Sequence, residues 1–204
     1  VTIEFQVPLA EFVDALSDAK IAAGTDWTLP VLCTVQLAGD KGAESITLTG
    51  TDRYLLVQRV MQLDEPLAND IRASIPTDQV AILVSALKPN AAQRRGQAQT
   101  LTVAVDDGKL TAGNLTVALD VDHEFPKIQQ LVEQGANAAA EISLLPVDLK
   151  LLARVGKLTA AKPRGTYARI YFTKGKEGQP EMLSVRFNDD GATRVLVMPA
   201  RAER

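Results

Sequence analysis

Three stretches of the chain repeat one order of apolar and polar positions. Val7-Pro8-Leu9-Ala10-Glu11-Phe12-Val13-Asp14-Ala15-Leu16, Ile75-Pro76-Thr77-Asp78-Gln79-Val80-Ala81-Ile82-Leu83 and Leu145-Pro146-Val147-Asp148-Leu149-Lys150-Leu151-Leu152-Ala153-Arg154-Val155 each set an aliphatic residue and a proline ahead of an apolar pattern of helical period. Proline fixes φ, lacks an N–H and drives the preceding residue into the extended region, so it suits the point where a strand ends and a helix begins. The prolines stand at positions 8, 76 and 146, spacings of 68 and 70 residues. Such near-equal spacing predicts three similar units in series, each opening as strand, proline, helix.

The rest of each unit reads as strands. In the first, residues 2–7 alternate like a half-buried strand and 9–21 place apolar residues at helical spacing; 32–37, 45–49 and 54–61 then predict three antiparallel strands. The second repeats this order with a strand at 70–75, a helix at 77–87 and strands at 99–105, 109–112 and 114–121, the tight turn Asp106-Asp107-Gly108 joining two of them. The third predicts a strand at 141–144, a helix after Pro146 and strands near 168–173, 181–187 and 193–198. Each unit is thus β-α-β-β-β, and helices carried on antiparallel strands make the class α+β. A lone unit leaves a helix face uncovered, so units must pair. Gln134 to Ala140 is small and polar and predicts the linker. The expected organisation is a two-unit domain over 1–134 and a single half-domain over 135–204.

Composition narrows the class. With 46% hydrophobic and 23% charged residues the 204-residue chain has the make-up of a globular protein, and no apolar run reaches the roughly 18 residues of a membrane span. A cytoplasmic protein is the expectation. The single cysteine, Cys33, lies in an apolar run and predicts a small buried hydrophobe. The net charge of −3 hides an uneven distribution: residues 149–176 contain no Asp or Glu but carry Lys150, Arg154, Lys157, Lys162, Arg164, Arg169, Lys174 and Lys176. A locally positive surface, or a solvated face with its counter-charges brought near by folding, follows from that run.

Catalytic chemistry is hard to assemble. There is no Gly-rich phosphate loop, no paired metal-ligand spacing, and the one histidine, His123, sits between Asp122 and Glu124 before a proline turn, a surface or hinge position. Asp106-Asp107 and Asp189-Asp190 each precede glycine, and turn formation explains them better than a metal-dependent hydrolase or nuclease. No catalytic residue, metal or cofactor is expected.

Five further stretches, taken in order, resemble one family. These are Leu29-Pro30-Val31-Leu32, Leu48-Thr49-Gly50-Thr51-Asp52-Arg53-Tyr54-Leu55-Leu56, Ala73-Ser74-Ile75-Pro76, Glu124-Phe125-Pro126 and the ending Val195-Leu196-Val197-Met198-Pro199-Ala200-Arg201. Together they resemble the bacterial DNA polymerase III beta sliding clamp family, whose rings are built from β-α-β-β-β half-domains. The family has six half-domains per chain; this sequence has three, similar to the middle domain followed by the closing half of the last.

The resemblance implies a non-catalytic processivity factor: a homo-oligomeric ring, a tetramer if twelve half-domains close it. Such a ring encircles double-stranded DNA without sequence preference and tethers a polymerase and a clamp loader through short apolar peptides. It implies DNA contacts from Lys20, Trp27, Arg94, Arg95, Arg154, Lys157, Lys162 and Arg164. Because the first helix carries Glu11, Asp14 and Asp18 against Lys20, these contacts should lean on the second and third units. It also implies a peptide pocket made by Leu32, Thr51, Arg53, Tyr54, Leu55, Leu56, Pro126, Leu131, Val197, Met198, Pro199, Ala200 and Arg201. The alternative is a clamp-like adaptor or inhibitor that binds replication proteins without encircling DNA.

Overall fold

A computed structural model describes residues 2–90, 99–136, 147–158, 168–173, 182–187 and 193–198. Unit one opens with β1 (Ile3–Pro8) and α1 (Leu9–Ala22) and continues through a single 3-10 turn (Pro30–Cys33) into β2 (Thr34–Gly39), β3 (Ser45–Thr51) and β4 (Leu55–Gln62). Unit two comprises β5 (Ile71–Pro76), α2 (Thr77–Ala86), β6 (Thr100–Asp106), β7 (Lys109–Ala112) and β8 (Leu115–Ala118). A connecting helix α3 (Gln129–Ala136) leads to unit three, with α4 (Leu149–Val155), β9 (Ala168–Thr173), β10 (Met182–Phe187) and β11 (Thr193–Val197).

The three-unit pattern holds, with local differences. Pro8 and Pro76 each end a strand and sit in extended backbone at the N-terminus of the next helix. In unit three Asp148 caps the helix, its carboxylate accepting the Lys150 N–H at 2.8 Å. The strand expected at 141–144 and Pro146 itself lie outside the described residues. Leu32 and Cys33, expected in a strand, belong to the 3-10 turn that Pro30 starts. The expected linker at 134–140 begins inside a helix: Ile128, Leu131 and Val132 recur at one-turn spacing, and their apolar stripe packs on unit three.

The units exchange their first strands. β1 pairs with β6, giving the sheet order β1-β6-β7-β8, while β5 pairs with β2 in a seven-stranded sheet of order β5-β2-β3-β4-β11-β10-β9. Each of the first two units thus closes the sheet of the other, and α1 packs against α2 within one core containing Phe12, Leu16, Leu37, Ile75, Leu83 and Leu110. The close approach of α1 to the sheet depends on Gly50 in β3, where an added Cβ would stand 2.0 Å from the Ala19 carbonyl oxygen.

Unit three joins unit one through the last strands of both. β4 and β11 pair antiparallel, Leu55 opposite Val197 and Arg59 opposite Thr193. Alternation along these strands sends Val57, Val195 and Val197 to one face, against Ala22, Leu151, Val155 and Leu158, and Leu56, Leu196 and Met182 to the other, under α3. Asp18 of α1, fully buried, pairs with Arg59 at 3.2 Å, and the same Arg59 nitrogen donates to Thr193 Oγ1 at 2.7 Å. One acid of the first helix is therefore a junction residue and not part of its solvent face.

Candidate functional site

The turn between β3 and β4 is built by two short side chains. Asp52 Oδ1 accepts the N–H groups of Tyr54 at 3.0 Å and Leu55 at 2.8 Å, while Thr51 Oγ1 donates to the Leu55 carbonyl at 2.9 Å and accepts the Arg53 N–H at 3.2 Å. Those bonds hold Arg53 at a φ of 79°, a left-handed conformation that costs a residue with a Cβ on the order of 1 kcal/mol. The Tyr54 carbonyl accepts the Met198 N–H at 2.8 Å, so the turn also anchors the end of β11.

The second carboxylate oxygen of Asp52 receives Arg154 Nη1 at 2.5 Å, and Arg154 Nε and Nη2 donate to the Ile21 carbonyl at 3.2 and 2.6 Å. That carbonyl belongs to the last turn of α1, which has no intrahelical donor for it, and a guanidinium is a fitting C-terminal cap. Arg154 thereby bolts α4 to α1 and to the turn. The loop before β2 is closed by Asp26, whose carboxylate accepts the Thr28 hydroxyl at 2.7 Å and the Thr28 N–H at 3.0 Å. These bonds, the hydroxyl first, hold Asp26 below its ordinary pKa, with Arg53 helping. Cys33 is buried beneath this loop, donates to the Asp26 carbonyl at 3.3 Å, and has its pKa raised mainly by burial.

Two clefts flank Arg53. One is a pocket of about 210 Å³ lined by Leu32, Thr51, Arg53, Leu55, Leu56, Pro126, Leu131 and Met198, together with Lys127, Ile128, Met182 and Leu196. Eight of the expected pocket residues thus meet, from stretches far apart in the chain. Two do not. Val197 points to the opposite face of the sheet and is fully buried there, because it lies one residue from both Leu196 and Met198 in an extended strand. Tyr54 lines the neighbouring cleft instead, on the far side of the turn. Pro199, Ala200 and Arg201 lie outside the described residues. Sequence reasoning missed Leu196, Met182, Ile128 and Lys127. Strand parity with Met198 could have found Leu196, but nothing local marks Met182, which arrives from β10.

The second cleft, about 590 Å³, is lined by Lys20, Gly24, Thr25, Asp26, Asp52, Arg53, Tyr54, Arg154 and Lys157, among others. Lys20 and Lys157 are exposed, and Trp27 nearby in sequence is 60% exposed. Arg154, expected on a DNA-facing surface, is instead paired within the fold. Arg94, Arg95, Lys162 and Arg164 lie outside the described residues. His123 is exposed and lies 3.0 Å from the Asp120 carboxylate, as suits a surface position. Among the described residues no group of three or more His, Cys, Asp or Glu side chains is arranged to hold a metal, and no helix is long and apolar enough to cross a membrane.

No family model matches the chain. Solved structures do: a DNA polymerase sliding clamp from Pseudomonas aeruginosa superposes with a TM-score of 0.73 at 14% identity, over 98% of this chain and 66% of that one. The DNA polymerase III beta subunit from Thermotoga maritima gives 0.68 at 14% identity, over 98% and 65%. The chain has the sliding-clamp fold. Its sequence is similar to the beta sliding clamp of Micrococcus luteus, 26% identical over 174 residues, which cover 82% of this chain and 51% of that protein. It is likewise similar to that of Streptomyces coelicolor, 28% identical over 177 residues, covering 83% and 44%. The chain thus spans about half the length of the curated relatives it matches, and three strand–helix units account for that half of a clamp fold.

Proposed function

We propose that the protein is a DNA sliding clamp, a non-catalytic processivity factor that encircles duplex DNA and holds replication proteins through an apolar peptide pocket. In this reading residues 1–134 form a paired domain and 135–204 a half-domain. The observation that carries it is the pocket beside the β3–β4 turn, where eight residues implied by the resemblance converge between units one and three. Its wall is mostly aliphatic, with Thr51, Arg53 and Lys127 at hand for a peptide backbone or carboxylate. Burying two or three peptide side chains at roughly 1.5–3 kcal/mol each, less ordering costs, gives about micromolar affinity.

DNA contact in this reading is loose and backbone-directed, since a sliding ring must not grip bases. Lys20 and Lys157 beside the second cleft are its described cations, and Trp27, in the loop after α1, is its exposed ring.

The test is fluorescence polarisation with a labelled short peptide bearing leucine and phenylalanine. The double variant Leu131→Ala with Met198→Ala should weaken binding about tenfold, roughly 1.4 kcal/mol, whereas Tyr54→Ala, in the other cleft, should leave it near wild type. Equal affinity in the wild type and the folded double variant places the client site elsewhere.

A further inference from the structure

The apolar pocket beside the β3–β4 turn has charge of one sign at its wall. Arg53 and Lys127 line it and no Asp or Glu does, the two cations coming from separate segments, the turn and the approach to α3. Both side chains are exposed, and among the described residues neither forms an ion pair. Arg59, Arg72 and Arg154, by contrast, are each committed to an aspartate, Asp18, Asp40 and Asp52 in turn. The acid next to Arg53 in the chain is already engaged: one oxygen of Asp52 accepts two backbone N–H groups and the other accepts Arg154. Asp26 is close enough for Arg53 to help depress its pKa, but its carboxylate is bonded to Thr28. Thr51 Oγ1 has its proton on the Leu55 carbonyl, so it offers a ligand only an acceptor. The side-chain donors left at this pocket are two cations.

The backbone marks one of them. Arg53 stands at a φ of 79°, where glycine would sit without cost. An arginine is held there against its own preference, and strain of that kind points to a use for the side chain. Its guanidinium lies 5.9 Å from the centre of the Tyr54 ring, a contact that covers a face and leaves the edge N–H groups to fork onto a carboxylate. The pocket, at about 210 Å³, is smaller than the roughly 300–1,000 Å³ of sites that enclose a small ligand. It therefore takes one or two side chains of a client and leaves the neighbouring residues at the rim.

We infer that the pocket selects client peptides carrying an acidic side chain beside the apolar residues that fill it, and that Arg53 makes the choice, with Lys127 in support. The inference rests on the peptide-pocket reading above and adds a charge requirement to it. A neutral polar residue gains less from two cations, a basic one is repelled, and a carboxylate meets both a bidentate donor and a point charge. The net charge of −3 opposes an acidic ligand, so the preference is local, and charges at an exposed rim are screened by salt.

Fluorescence polarisation with labelled, C-terminally amidated peptides tests this, the amide removing the terminal carboxylate as a second source of charge. The peptides share a leucine–phenylalanine pair and carry Asp, Asn or Lys on one side of it or the other. The wild type should bind the better Asp peptide about fivefold more tightly than its Asn counterpart, and high salt should shrink that ratio. Arg53→Gln should bring the ratio close to one, and Lys127→Gln should lower it less. Arg53→Glu should turn the preference toward the Lys peptide, a gain that damage to the turn does not produce. Arg53→Gly, which relieves the backbone strain, should fold at least as well as the wild type and still lose the preference. Equal affinity for the Asp and Asn peptides in the wild type, or an unchanged ratio in Arg53→Gly, overturns the proposal and leaves the pocket reading standing. Binding of none of the peptides refutes both.

Discussion

Asp52 has two jobs that its short side chain performs at once. One oxygen shapes the turn that walls both clefts, and the other receives Arg154 from unit three. Removing Arg154 leaves a partly buried carboxylate and a helix-terminal carbonyl without a partner, so Arg154→Ala should cost about 2–3 kcal/mol in urea unfolding and loosen the pocket. Its DNA salt dependence should stay at the wild-type slope, because the guanidinium is internally paired. Charge reversal of Lys20 and Lys157 should do the opposite, lowering DNA association and flattening the salt slope by about 2 with little loss of stability.

Asp26 yields a pH prediction. Its folded pKa is depressed by the Thr28 bonds, so the stabilisation they give is present above the ordinary aspartate value of 3.8 and is lost as pH falls through the lower folded value. Trp27, the only tryptophan, reports on this loop. Its fluorescence should change only below 3.8 in the wild type, and Thr28→Val should move the change upward. A transition at the same pH in both proteins would show that the Asp26–Thr28 bonds do not hold the loop.

At the scale of elements, the tightest constraint is the seat of α1 on β3. Gly50 is in an ordinary strand, yet the helix backbone occupies the space a side chain would need. Gly50→Ala must push α1 outward, disturbing both the core and the Ile21 carbonyl that Arg154 caps. A loss of about 3 kcal/mol is expected, read as a lower urea midpoint at unchanged slope. Gly42, at a positive φ with nothing near its Cβ position, is the control: Gly42→Ala should show only a backbone cost of about 1 kcal/mol. Helix α3 shows how an element escapes notice. Residues 134–140 are small and polar, but the stripe of Ile128, Leu131 and Val132 just before them covers Leu56, Leu196 and Met182. An eight-residue helix gains stability from packing more than from propensity, and its packing partner is distant in sequence.

For the molecule as a whole, the chain of units is continued by sheets. The seven-stranded sheet runs through units one and three without interruption, so the pocket at their junction is held by backbone pairing on both sides of it. A ligand seated there touches both units and should stabilise the whole chain, raising the melting temperature with ligand concentration as linkage requires.

What the sequence determined by itself is the succession of units. A proline at a strand end and apolar spacing at 3.6 or 2 act over a few residues, and those rules located α1, α2 and most strands. They also located the α+β class, the buried Cys33 and the surface position of His123. Residues of the pocket were found through the resemblance, and eight of them converge. Tertiary structure alone decided the partners: that β1 closes the sheet of unit two, that β11 meets β4, and that Met182 joins the pocket from β10. It moved Val197 to the other face, gave Tyr54 to the second cleft, and turned Asp18 and Arg154 from surface charges into junction pairs. The physical reason is range. Backbone conformation answers to near neighbours, whereas the fate of a charge or the occupant of a sheet edge depends on groups more than a hundred residues away, as Arg154 does on Ile21 and Asp52.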